Sequence, residues 1–67
     1  MKVKLGFVQG VEPKEEVFNN VEAVKTIDQW GYKRLNVFVE REHARENNCL
    51  NYSTPLYLVD YLEVTKE

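Results

Sequence analysis

The chain reads as a small α+β domain, with one helix packed on a three-stranded mixed sheet in the order β-α-β-β. Two apolar segments alternate with a period of two, at 2–8 and 34–41, and a stretch between them at 13–30 carries apolar residues at helical spacing. That order of periods is the pattern of a strand–helix–strand unit with a right-handed crossover.

In segment 2–8, Val3, Leu5 and Phe7 fall on one face and Lys2, Lys4 and Gly6 on the other. Gly10 then punctuates the chain. Pro13 suits a first helical position, and Glu15 and Glu16 would lie in the first turn, facing the positive end of the helix dipole. Val17, Val21, Val24 and Ile27 are spaced by four, three and three, which puts them on one helical stripe. Three of those four are valine, a β-branched residue, so the expectation of a helix rests on pattern rather than propensity. Gly31 would cap the helix in a left-handed conformation.

In segment 34–41, Leu35, Val37 and Val39 alternate with Asn36, Phe38 and Glu40, which predicts a strand parallel to the first. Residues 42–54 read as a long loop, because Asn47, Asn48 and Asn51 favour turn conformations. A last strand is expected over 56–64 after Pro55, pairing with the second strand, although Leu58, Tyr61 and Leu62 also fit a helix. On this arrangement the single helix leaves one sheet face bare. Val8, Phe38, Tyr57, Val59 and Tyr61 would lie on that face.

Length and charge bound the function. At 67 residues, with 43% apolar and 30% charged side chains, the chain is of globular composition and affords one domain with a thin core. Cys49 is the only cysteine, which excludes an internal disulfide and fits a reducing, cytoplasmic setting. No apolar run is long enough to cross a membrane and no signal peptide is evident at the start. The net charge is -2, with the acidic excess in the second half, which argues against a dedicated nucleic-acid binder.

No motif carries catalysis. His43 and Cys49 lie six apart, with Asn47, Asn48 or Glu46 as conceivable orienting groups, but His43 reads as a solvated polar residue and Cys49 as a half-buried plug holding the loop down. Glu40, Glu42 and Glu46 are interleaved with Arg41 and Arg45 and read as a mixed-charge surface rather than a metal site. The loop at Gln9–Pro13 has one glycine and an acidic Glu12, which does not make a phosphate loop. No cofactor or metal is expected.

The aromatic content is 12%, generous for so short a chain. The leading expectation is a non-enzymatic protein-interaction module, an inhibitor or adaptor, contacting a protein partner or a second copy of itself. Phe18, Trp30, Phe38, Tyr52, Tyr57 and Tyr61 are its candidate contact residues. The alternative is a dimeric nucleic-acid-associated regulator using Lys2, Lys4, Lys33 and Arg34 as phosphate contacts. It requires the first two strands to be neighbours, so that the four charges gather at one edge.

Overall fold

A computed structural model describes residues 1–44 and 49–66. Six strands form two antiparallel three-stranded sheets: β1 (Lys2–Phe7), β2 (Glu15–Phe18), β3 (Val21–Gln29), β4 (Tyr32–Val39), β5 (Leu50–Pro55) and β6 (Val59–Thr65). The first sheet has the order β2-β1-β6 and the second β3-β4-β5. Short 3-10 turns occupy Arg41–His43 and Leu56–Leu58.

This overturns the α+β expectation. Residues 13–30 form no helix; most of them lie in β2 and β3. The apparent helical stripe has a local cause. Register shifts between Val21 and Ala23, where Val21 faces Val39 but Ala23 faces Phe38 and Val24 faces Val37. Glu22 is thus the extra residue of a β-bulge, and it brings Val21 and Val24, three apart, onto the same core-facing side. Val17 belongs to a different strand, beyond a corner at Asn19–Asn20 where Asn20 has φ 58°. Once the chain is extended, β-branched Val, Thr and Ile suit it better than they suit a helix.

The sheet partners also differ from those expected. β1 and β4 are not parallel neighbours but lie in separate sheets. β6 pairs with β1, not with β4. The expected loop at 42–54 holds a 3-10 turn at its start and β5 at its end, with residues 45–48 outside the described residues. The expected last strand begins later, at Val59, after the 3-10 turn.

The core lies between the sheets. Val3 and Leu5 from β1, Val21 from β3, and Leu35, Val37 and Val39 from β4 are buried, and Phe7 is nearly so. Each is worth about 1.5–3 kcal/mol of transfer free energy when fully buried. Val21 stitches the sheets together: its N–H donates to the Met1 carbonyl at 2.8 Å, and the terminal amine of Met1 donates to the Val21 carbonyl at 2.9 Å.

Candidate functional site

The outer faces of the two sheets carry different chemistry. On the first, Lys4 lies between Val17 of β2 and Glu63 of β6, and Gly6 lies between Glu15 and Tyr61. The Tyr61 ring packs on Gly6 so closely that a Cβ there would come within 2.0 Å of it. The Tyr61 hydroxyl donates to Glu15 Oε2 at 2.8 Å, and Lys4 Nζ meets the same oxygen at 3.0 Å. The hydrogen bond from Tyr61, with that from Lys4 and the Lys4 charge, holds the Glu15 carboxyl below its ordinary range. The Glu15 carboxylate raises both the Lys4 ammonium and the Tyr61 phenol. This face is internally paired.

The outer face of the second sheet is paired in part. Strand alternation places Lys25, Ile27 and Gln29 of β3, Tyr32, Arg34, Asn36 and Phe38 of β4, and Ser53 and Pro55 of β5 on that face. None of them is a carboxylate. A polar chain runs across its centre: Arg34 Nε donates to Ser53 Oγ at 3.0 Å, and Ser53 Oγ donates to Asn36 Oδ1. Lys25 Nζ lies 5.7 Å from the centroid of the Phe38 ring, a cation–π contact. Toward the β3–β4 turn, Tyr32, Arg34, Pro55 and Tyr57 line a surface groove of about 210 Å³.

That turn has two residues, Trp30 and Gly31, with φ 57° and 84°. Two positive φ values mark a type I′ hairpin turn, whose twist matches the strands and whose usual occupants are Asn-Gly. The left-handed residue foreseen at Gly31 is thus present, but it serves a hairpin rather than a helix end. Trp30 is 88% exposed, and Tyr57 and Tyr32 are 71% and 62% exposed.

The six expected contact residues do not form one bare face. Phe18 and Tyr52 are half-buried and meet in a tilted ring contact at 5.0 Å between centroids, packed against the core. Phe38 is half-buried under Lys25. Tyr61 lies on the opposite sheet, engaged with Gly6 and Glu15. Only Trp30 and Tyr57 stand well clear of the surface. Tyr32, absent from the expected set, joins them; its place two residues after Trp30 became informative only once the hairpin was known.

The four basic residues of the alternative reading are likewise dispersed. Lys2 and Lys4 lie on the outer face of the first sheet. Arg34 lies on the outer face of the second, and Lys33, its neighbour in sequence, points to the other side, opposite Asp28. The condition that would gather them, adjacency of the first two expected strands, is not met.

No set with the geometry of a catalytic site is assembled among the described residues. His43 is exposed, with Nε2 3.6 Å from Glu42 and 3.9 Å from Glu40. Those three side chains could share a cation, but they are exposed and already form an ion pair when His43 is protonated. Cys49 is half-buried, and its carbonyl accepts from Val39 N–H at 3.0 Å. A hollow of about 450 Å³ lies between the 8–12 turn and Tyr61 and has no nucleophile paired with a base. Among the described residues no helix is long and apolar enough to cross a membrane. No protein family, no curated protein and no solved structure matches this chain.

Proposed function

We propose that this chain is a non-enzymatic protein-binding module, an adaptor or inhibitor, whose contact site is the β3–β4 hairpin tip with the groove beside it. The observation that carries the reading is Trp30. A bulky residue at positive φ costs about 1 kcal/mol or more. Exposing an indole forgoes the burial that would offset the cost. Neither expense serves the fold, since Asn would make the same turn unstrained. Tryptophan in such a position is typical of an anchor that is buried when a partner binds.

The groove indicates what the partner offers. Tyr32, Tyr57 and Pro55 supply apolar walls, and Arg34 is the one charged side chain among the lining residues. Ser53 and Asn36 fix the guanidinium through Nε and leave its forked outer nitrogens for a carboxylate. The fitting ligand is a protein segment with an apolar side chain beside an Asp or Glu. Panning a displayed peptide library tests this. Enriched peptides should combine those two features and lose about tenfold or more in affinity against Trp30→Ala, Tyr57→Ala and Arg34→Gln, each with an unchanged circular dichroism spectrum. Peptides that bind these variants as well as the parent would overturn it.

A second reading has one observation in its favour. The same face presents rings beside Lys25 and Arg34, and beyond the Glu22 bulge its regular stretch has no outward carboxylate, the mixture that stacks single-stranded nucleic acid. Two cations make a small footprint. Oligonucleotide binding that falls steeply with salt and is lost in Arg34→Gln would favour it over the peptide.

A further inference from the structure

A separate feature, independent of the aromatic groove, lies at the far edge of the first sheet. β6 pairs with β1 along one side, and among the described residues no strand pairs with its other side. Leu62 and Val64 stand opposite Leu5 and Val3, so they point to the core-facing side. Leu5 and Val3 are fully buried, yet Leu62 and Val64 remain 40% and 54% exposed. The second sheet covers β1 and stops short of β6. An exposed edge with apolar residues on its inner face is a template for another strand.

We infer that this edge pairs antiparallel with β6 of a second copy of the chain, about a two-fold axis at Glu63. The register follows from the sequence and the regular length of the strand. Gly6 faces Tyr61 and Phe7 faces Val59, so Asp60 is a bulge and the regular stretch is residues 61–65. Centred on Glu63, that stretch matches itself end to end. Leu62 meets the partner's Val64 and Val64 the partner's Leu62 on the inner face, and Tyr61 meets the partner's Thr65 on the outer one. Just beyond that stretch Lys66 comes near the partner's Asp60, at the bulge, which brings opposite charges together at both ends. Centring on Leu62 would instead set Val64 against Asp60, and centring on Val64 would set Leu62 against Lys66. The chosen register is the one that matches apolar with apolar and basic with acidic.

Its cost is also defined. The two Glu63 carboxylates stand opposite each other on the axis, each with its own Lys4 on the far side. Like charges directly opposite are unfavourable. The pairing is isologous, so the two-fold closes it at two copies. The repulsion at Glu63 keeps the dimer reversible.

Sedimentation velocity over a concentration series, up to the solubility limit, tests this on the full chain. A monomer–dimer equilibrium is expected. Glu63→Gln should tighten it by about two- to fivefold by removing the like-charge pair, and Val64→Lys should weaken it by about tenfold or more. Both positions are exposed, so the fold should tolerate the changes. A second readout fixes the register. Directly opposite residues in an antiparallel pair have Cα atoms about 4.5–5.5 Å apart, within disulfide reach. In a Cys49→Ser background, Glu63→Cys should cross-link to dimer on mild oxidation well ahead of Asp28→Cys, which lies in the other sheet. A monomer at all concentrations, or a dimer indifferent to Val64→Lys with no preferential cross-link at position 63, would overturn the inference.

Discussion

Both sheets are three-stranded and antiparallel, yet their outer faces have opposite fates. On the first, a tyrosine ring lies over a glycine, and its hydroxyl and a lysine share one carboxylate. On the second, three polar groups order the centre, and Trp30, Tyr32 and Tyr57 collect at one end, facing solvent. Both faces use tyrosine. What separates them is whether the chain itself supplies the ring with a surface. Gly6 provides one for Tyr61, whereas Tyr57 and Tyr32 open onto a groove and Trp30 projects from a turn. An aromatic side chain in a small β protein is therefore evidence for a partner only where the fold leaves it without one.

The comparison breaks most severely at Gly6. Gly6→Val puts a side chain where the Tyr61 ring now lies, and it should destabilise the chain by about 1–3 kcal/mol in urea unfolding. Adding Tyr61→Ala should recover part of that loss. If the double variant is no better than Gly6→Val alone, the ring is not the obstacle. Trp30 should behave in the opposite way. Trp30→Asn creates an Asn-Gly type I′ turn and should raise stability by about 0.5–1 kcal/mol while abolishing peptide binding. A loss of stability would show that the indole packs on the fold and would remove the main support for the proposed contact site.

The smallest effect is on pH dependence, and it belongs to the first face alone. The folded Glu15 carboxyl titrates below its ordinary value, so its contribution to stability is present above the unfolded carboxylate range and is lost as pH falls through the folded value. Tyr61 and Lys4 are shifted upward, so their contributions hold below the ordinary phenol and ammonium values and fade as pH rises through the shifted ones. All three groups are solvent-facing, so the effect is modest and screened by salt. Glu15→Gln should flatten the acid and alkaline limbs of the stability profile, whereas Arg34→Gln on the second face should leave both limbs as they are.

The alternation of Val3, Leu5 and Phe7, and of Leu35, Val37 and Val39, was legible in the sequence, because a buried strand face repeats every second residue. The positions of Gly10 and Gly31 as turn points were legible too, since both adopt positive φ. The stretch between was misread for a specific reason: the bulge at Glu22 inserted one residue between two core valines and turned a spacing of two into a spacing of three. The β-branched composition of that stretch was the opposing signal, and it was the better one. The candidate site was legible only in part, with Trp30 and Tyr57 foreseen but not their relation to Tyr32 and Arg34.

By itself, then, the sequence determined which residues are apolar, where the chain turns and how much aromatic surface it carries, because these follow from side-chain chemistry and local sterics. Only the tertiary structure decided which strands are neighbours. That choice put Lys4 beside Glu15 and Glu63, set Lys2 and Lys4 on a different sheet from Arg34, and left the β6 edge and the β3–β4 hairpin tip uncovered. Strand pairing joins residues far apart in the chain, and it is set by which faces can be buried together rather than by any short run of sequence.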